Sequence, residues 1–130
     1  MPTNLKEFSI NLGRLKSLAR DKAIQLQQKI ALQVLRGVVL RSPVKTGRFR
    51  GNWLVSTGSP VAYSVATMDP SGQATISLGA NTIAALRELG VVWISNNLVY
   101  GPALESGHSK QAPAGMVAVT VASVRAQFKV

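Results

Sequence analysis

Residues 42–50, SPVKTGRFR, separate a long helical pattern from the first pattern that is typical of a strand. Proline lacks a backbone N–H and pushes the residue before it out of the helical region, so Pro43 predicts that a helix ends near Arg41. Thr46 and Gly47 then predict a turn, because glycine adopts positive φ at little cost. We therefore expect the chain to reverse here from a helix into a sheet.

The helical pattern lies upstream, over residues 4–40. Its apolar residues recur at intervals of three and four: Leu5, Phe8, Leu12, Leu15, Ala19, Ala23, Leu26, Ile30 and Val34. Asn4 and Glu7 resemble a capping pair, whereas a start at Ser9 would leave residues 1–8 as an extended arm. Such a helix would span roughly 55 Å at about 1.5 Å per residue, so part of it should project or lie on a neighbouring subunit.

Downstream of residue 50, short apolar and β-branched segments alternate with turn signals. The pattern predicts strands over residues 52–57, 74–78 and 91–95, with the last as the central strand, and a tight turn over 69–72. Residues 61–67 fit either a second short strand or an extended loop. Asn81 and Thr82 predict the cap of a short helix that ends at Gly90.

The last segment admits two interpretations. Its valines alternate as in a strand, whereas its apolar residues also recur at the helical positions i, i+4, i+7 and i+11 from Val117. We favour a helix over residues 114–128, because Pro113 suits the first turn of a helix. The two alternatives stay open for residues 116–124.

The length of 130 residues suits one domain, and no linker-like stretch divides it. The expected fold for residues 1–130 is α+β: a long N-terminal helix packed on a small, mostly antiparallel β-sheet, with a short middle helix and a C-terminal helix.

The formal charge is +10, and residues 1–50 hold 11 of the 15 Lys and Arg. This distribution fits a solvated helix face, or attraction to nucleic acid or an acidic protein. Charged residues make up only 15% of the chain, which favours surface reserved for other subunits over a merely polar one. The candidate basic residues facing a partner or DNA are Arg14, Lys16, Arg20, Lys22, Lys29, Arg36, Arg41, Lys45, Arg48 and Arg50.

Little in the composition points to catalysis. The chain has no cysteine and one histidine, which excludes Cys-based zinc sites and a His-rich metal site within one chain. Glu105 and His108, near Ser106 and Ser109, are the one close acid and imidazole pair, but the G-x-S-x-G elbow is missing. We expect no enzyme activity, no cofactor and no metal. With no run of about 18 apolar residues, we also expect no membrane span and a cytoplasmic protein where it is made.

Two blocks carry a resemblance to a known family. The first is SPVKTGRFRGNW at 42–53, and the second is NNLVYGPALESG at 96–107, followed by SKQAPAGM at 109–116. In this order and spacing they are similar to the minor tail protein Z-like group of tailed-bacteriophage neck and tail-completion proteins. The motif residues are Pro43, Thr46, Gly47, Arg48, Phe49, Tyr100, Glu105, Gly107 and Pro113. The chain departs from the family pattern at Lys45, where an acid is common, and at Val99, where a proline is frequent.

The resemblance implies a structural virion protein that forms a homo-oligomeric ring in the phage neck and completes the tail or joins it to the filled head. Its implied partners are further copies of itself, the head-closure or connector protein and the tail terminator protein, with phage DNA in the lumen. Its implied location is the virion, after assembly in the host cytoplasm. The alternative, based on charge, is a basic nucleic-acid-binding protein acting through its N-terminal helix.

The motif residues also have expected physical roles. We expect positive φ at Gly47 and Gly107, helix ends at the two motif prolines, and a buried ring at Tyr100 whose hydroxyl finds a partner. Phe49 should enter the core while the arginines on either side of it face a neighbour. Glu105 should cap a helix or pair with a cation such as Lys110 or Arg48, and His108 should lie at a partly exposed turn.

Overall fold

The computed structural model describes the backbone of residues 5–129 and the side chains of residues 18–129. Over this range the fold is α+β, as the sequence predicted. Its elements are α1 (Leu5–Arg41), β1 (Leu54–Thr57), α2 (Gln73–Ala84), β2 (Val92–Ser95), α3 (Gly101–Glu105) and α4 (Val117–Phe128), with a 3-10 turn at Arg50–Asn52. Helix α1 includes residues 5–8, for which an extended arm was the alternative, whereas Asn4 lies outside the described residues.

The hydrophobic core forms around the C-terminal half of α1. Leu35, Val38 and Val39 are at most 1% exposed, and α2 and α4 pack against this half of the helix. The buried apolar cluster consists of Ala31, Leu35, Val38, Val39, Phe49, Trp53, Ile76, Ile83, Leu98, Ala112 and Met116. In contrast, none of residues 18–30 is buried. The helix therefore reaches beyond the core, in agreement with the expectation from its length.

Helix α1 ends at Arg41, as predicted. The hydroxyl of the next residue, Ser42, donates a hydrogen bond back to the carbonyl oxygen of Val38. The same hydroxyl accepts a bond from Nε1 of Trp53 at 2.7 Å. These two buried hydrogen bonds join the last turn of α1 to Trp53, the residue before β1. They therefore fix the orientation of the sheet relative to the helix.

The strands β1 and β2 pair in antiparallel fashion, and the register places Val55 opposite Ile94 and Thr57 opposite Val92. Both strands predicted over 52–57 and 91–95 are present but shorter, because Asn52 belongs to the 3-10 turn and Trp53 and Val91 lie outside the strands. The expected central position of the second is wrong, because the sheet of the described residues has two strands and β2 therefore lies at an edge.

Residues 74–78, which we predicted as a strand, instead belong to helix α2. The carboxylate of Asp69 gives the reason. It accepts bonds from the N–H of Gly72 at 3.2 Å, from the N–H of Thr75 at 2.8 Å and from the Thr75 hydroxyl at 2.7 Å. These bonds satisfy donors of the first helical turn that have no partner within the helix, and they start α2 directly after the predicted turn.

Helix α2 also ends earlier than the sequence suggested. It stops at Ala84, so Asn81 and Thr82 lie in its last turn rather than at its start, and Gly90 lies beyond it. Its buried residues, Thr75, Ile76, Gly79 and Ile83, follow the spacing of a helix. Core contacts on this one face outweigh the strand-like alternation of residues 74–78.

Residues 61–67 form no strand, so the extended loop, the other alternative, is the correct one. Two asparagine side chains hold its backbone. Nδ2 of Asn97 donates to the carbonyl oxygens of Val61 and Tyr63 at 2.7 and 3.1 Å. Asn52 accepts from the N–H of Val65 at 2.8 Å and donates to its carbonyl oxygen at 2.9 Å.

The final segment is helical, as favoured, but α4 begins at Val117 rather than at residue 114. Pro113 therefore precedes the helix and is not part of its first turn. Gly37 of α1 allows α4 to lie close, because an added Cβ would lie 2.4 Å from Cγ2 of the fully buried Thr120. The two helices consequently meet at a distance that a larger residue at position 37 would increase.

Leu35 provides a test of this core. Replacing the fully buried Leu35 with alanine should lower the free energy of unfolding by about 3 kcal/mol, because it removes apolar contacts and leaves a cavity between α1 and α2. Leu78→Ala is the matched control, since Leu78 is 66% exposed. Chemical denaturation measures both. Equal losses in the two variants would contradict this description of the core.

Candidate functional site

The two sequence blocks meet at one corner of the molecule, which we call the block corner and define as residues 42–53 and 96–116. Phe49 is buried there, and its ring centroid lies 5.8 Å from those of both Trp53 and Tyr100. The prediction that Phe49 enters the core is confirmed. The expected burial of Tyr100 is wrong, because this side chain is 44% exposed and lies against Phe49 at the surface.

A second link between the blocks is made by the side-chain amide of Gln111. Its Oε1 accepts a bond from the N–H of Val44 at 2.9 Å, and its Nε2 donates to the carbonyl oxygen of Val44 at 3.1 Å. The amide thereby bonds to this backbone unit as a neighbouring strand would. The segment after α3 is thus attached to the residue that follows Pro43.

Glycine is required at two points of the block corner. Gly47 has φ 88°, and its carbonyl oxygen accepts bonds from the N–H groups of Gly51 and Asp69 at 3.0 and 2.9 Å. Gly107 has φ 90°, and an added Cβ would lie 2.4 Å from the carbonyl oxygen of Pro113. The prediction of positive φ at both glycines is confirmed. Each glycine permits a close approach of two backbone segments that a side chain would separate.

Glu105 caps helix α4. Its Oε1 accepts bonds from the N–H groups of Met116 and Val117, each at 2.8 Å, and its Oε2 accepts from Ala118 at 3.0 Å. The cap is thus the correct one of the two roles expected for this residue. Burial alone would raise the pKa of Glu105, but the three N–H groups outweigh it and hold the pKa below its ordinary value of 4.5.

Two of the candidate basic residues are engaged inside the chain. The guanidinium of Arg50 donates to the carbonyl oxygens of Ser42, Leu40 and Pro70 at 3.0, 3.0 and 2.8 Å. It thereby satisfies acceptors at the C-terminal end of α1, where positive charge is favoured. Arg41 donates through Nη1 to the hydroxyl of Thr120 in α4 at 3.2 Å.

The other candidate basic residues lie on the surface where the structure describes them. The exposed ones are Arg20, Lys22, Lys29, Arg36, Lys45 and Arg48. The side chains of Arg14 and Lys16 lie outside the described residues. The first four belong to α1, and the last two lie in the turn of the first block. The structure therefore separates a basic face on α1, formed by Lys22, Lys29 and Arg36, from a smaller basic group at the block corner.

A cavity of about 620 Å³ opens at the block corner. Phe49, Tyr100 and Leu104 form its apolar side, while Thr46 and Gln111 contribute polar groups. Among its lining residues, Lys45 carries the one charge. Such a cavity can offer a partner an apolar wall, hydrogen bonds and one positive charge.

The geometry gives no support to a nucleophile and base arrangement around His108. Both carboxylate oxygens of Glu105 bond to the backbone of α4, and His108 itself is exposed, as expected. Within residues 18–129, no three or more His, Cys, Asp or Glu side chains are grouped so that they could hold a metal ion. Among the described residues, no helix is long and apolar enough to span a membrane.

Sequence reasoning missed four residues that hold this part of the fold. Asp69 caps α2, Gln111 binds the backbone of Val44, and Asn52 and Asn97 bind the loop over 61–67. The partners of the three amide side chains lie 13 to 67 residues away in sequence. No local pattern signals such bonds. For Asp69, the turn residues up to Gly72 followed by Thr75 could have indicated a helix start.

Comparison with protein-family models, with curated proteins and with solved structures gives no match to this chain.

The cap at Glu105 predicts a specific dependence of stability on pH. Glu105→Gln should lower the free energy of unfolding by about 1 kcal/mol at neutral pH, because it removes the charge that faces the α4 N-terminus. Since the folded pKa lies below 4.5, the carboxylate stabilises the fold above that value, and this contribution is lost as the pH falls through the lower folded pKa. The difference between wild type and variant should therefore shrink in acid.

Denaturant titrations at neutral and acid pH measure this effect. Glu88→Gln is the matched control, because Glu88 is exposed and its carboxylate caps no helix. A Glu105→Gln variant that is as stable as the control at neutral pH, or a difference that persists unchanged in acid, would be incompatible with the cap.

Proposed function

We propose that this chain is a structural protein of the phage neck. In this proposal, copies of the chain form a homo-oligomeric ring that completes the tail or joins it to the head, between a head-closure connector and a tail terminator. The proposal is supported by the order of the two sequence blocks and by the surface of the fold. The exposed apolar side chains on this surface are the observation on which the proposal chiefly rests.

Twelve large apolar side chains are exposed within the described part of this small protein. They are Leu18, Leu26, Leu40, Tyr63, Met68, Leu78, Leu89, Val91, Trp93, Val99, Tyr100 and Val117. Val99 is 94% exposed, and it directly precedes Tyr100 in the second block. Val91 with Trp93, and Val99 with Tyr100, place exposed apolar side chains close together in the chain, which is more typical of interaction sites than single scattered residues. It supports a chain whose surface is completed by other subunits.

The first half of α1 adds to this argument. From residue 18 to residue 30 no side chain is buried, although Leu26 belongs to the apolar stripe read from the sequence and is 45% exposed. An amphipathic helix is stable chiefly when its apolar face is packed. We infer that neighbouring subunits supply this packing in the ring.

The block corner has a role in this function as a rigid platform. Gly47, Phe49, Glu105 and Gln111 connect the end of α1 to α3 and α4 through bonds and ring contacts. The exposed side chains of this corner are therefore presented in a fixed geometry. A fixed geometry suits contact with the connector or the tail terminator, because less conformational entropy is lost on binding.

The basic face of α1 favours a second candidate function. Lys22, Lys29 and Arg36 are exposed and recur every seven residues on one side of α1, and such a face can bind nucleic acid by releasing its counterions. In a ring, cations that line the lumen would hold DNA and hinder its passage. For the neck protein, we therefore assign this face to the outside or to an acidic partner.

Electron microscopy and light scattering of the purified protein test the two functions. The neck proposal predicts closed rings of one size whose mass is unchanged after nuclease treatment. A Lys22→Gln, Lys29→Gln double variant should keep the ring mass, because both side chains are exposed and serve no fold contact described here. Thr46→Ser is a control at the block corner: it keeps the side-chain hydroxyl and should also leave the ring mass unchanged.

The nucleic-acid alternative predicts a different result from the same proteins. A monomer that binds duplex DNA tightly would contradict the ring. In that case the double variant should weaken binding, and the slope of log affinity against log salt should fall by about 1 for each lost phosphate contact. Filter binding over a range of salt concentrations gives this slope.

A further inference from the structure

Strand β2 has an edge with backbone groups that no part of the described chain satisfies. The N–H of Gly58 donates to the carbonyl oxygen of Val91 at 3.3 Å, which makes these two residues a hydrogen-bonded pair of the antiparallel ladder. Such pairs alternate along the ladder, so Trp93 and Ser95 bond to β1, while the backbone groups of Val92 and Ile94 point away from it. Those groups have no partner among the described residues.

An apolar groove lies along this edge, with a volume of about 620 Å³. We call it the edge groove. One wall is the exposed half of α1, including Ala23, Leu26 and Ile30, and the other is β2 from Val92 to Ile94. No lining residue carries a charge. A sheet of two strands is marginal alone, and an edge with free N–H and C=O groups accepts another strand readily.

The loop over residues 61–67 matches this edge in conformation and chemistry. Its sequence, VAYSVAT, has the alternating and β-branched character that first suggested a strand. The asparagine bonds engage the backbone of residues 61, 63 and 65, whereas the groups of Ala62, Ser64 and Ala66 have no partner in the described chain. Tyr63 is 62% exposed. The loop thus presents a second stretch of backbone in which every other residue is unpaired among the described residues.

Charge favours this pairing between two copies of a chain that carries +10. Copies of such a chain repel one another, so their contacts must avoid the cations. Both the edge groove and residues 61–67 are free of charged side chains. A helix α1 from a second copy would instead bring exposed cations such as Lys22 and Lys29 to a neighbour that carries the same cations. The uncharged loop is the better occupant of the groove.

We propose that β2 of one copy binds residues 61–67 of the next copy as a third strand, with Tyr63 near the edge groove. This contact rests on the ring proposed above and gives it a mechanism. The donor loop and the acceptor edge are different surfaces of the same chain, so the contact is head-to-tail. Head-to-tail contacts close into rings when the rotation between copies permits, whereas a contact between identical patches stops at a dimer.

Cysteine cross-linking tests the contact cleanly, because the natural chain has no cysteine. Tyr63→Cys or Ser64→Cys is co-expressed with Val91→Cys or Trp93→Cys, in copies that carry tags of different mass. A short bismaleimide then joins nearby thiols. Positions 91 and 93 are chosen because their side chains lie beside the free groups of the edge and retain at least 39% exposure. The expected product is a cross-linked heterodimer between differently tagged copies.

Controls separate this contact from its alternatives. Each cysteine variant alone should give no dimer, because a head-to-tail contact does not bring identical residues together. Val99→Cys, at a side chain that is 94% exposed and outside both surfaces, should give no heterodimer with Tyr63→Cys. A double variant, Tyr63→Cys with Val91→Cys, should form a ladder of products that ends at the ring size. Dimers formed by single variants would overturn the proposal in favour of a two-fold contact.

A charge variant gives an independent measurement. Tyr63→Lys should weaken self-association at least about tenfold, equal to about 1.4 kcal/mol, since it buries an unpaired charge in the apolar groove. Ala122→Lys, at an exposed position of α4 outside both surfaces, is the control and should leave assembly unchanged. Rings that form without the heterodimer cross-link and tolerate Tyr63→Lys would overturn this contact but leave the neck ring intact. A wild-type chain that stays monomeric would overturn both.

Discussion

The close packing of α2 and α4 against the C-terminal half of α1 is the constraint on which the fold depends. Two glycines make it possible: a Cβ at Gly37 would lie 2.4 Å from Thr120, and one at Gly79 would lie 2.5 Å from Leu35. Because both helices approach so closely, the core stays small and is concentrated around Leu35 and Val38. Residues 18–30 of α1 and the outer edge of β2 are left without cover by the described chain, and these are the surfaces that we assign to other copies.

Two of the acidic side chains cap helices, and this explains part of the unneutralised positive charge on the surface. The chain has five carboxylates, and two of them, Asp69 and Glu105, serve as caps for α2 and α4. Burial would raise the pKa of Asp69, but bonds from Thr75, Gly72 and Ser71 lower it. Neither cap forms its bonds with a Lys or Arg. The cations of α1 are thus not neutralised by these two groups, and they remain for a partner or for solvent.

The sequence alone was sufficient for the parts of the fold that local patterns determine. The apolar stripe and Pro43 predicted α1 and its end, and the β-branched runs predicted β1 and β2. It failed where a side-chain hydrogen bond or a missing strand partner, rather than the apolar pattern, decides the structure. Residues 74–78 alternate like a strand but are helical because Asp69 caps them, and residues 61–67 look like a strand but pair with no strand among the described residues. At the block corner, Gly47 and Phe49 were identified correctly, while the bonds of Gln111 had no local signal.

Hydrogen exchange at the backbone of β2 tests the central claim, that this fold leaves its sheet edge for a neighbouring copy. The N–H groups of Val92 and Ile94 point away from β1 and are free in a single chain, so they should exchange rapidly at dilutions where the protein is monomeric. In the assembled ring they should exchange slowly, while the amides around Leu35 remain protected in both states. Rapid exchange at Val92 and Ile94 in the assembled ring would contradict the account.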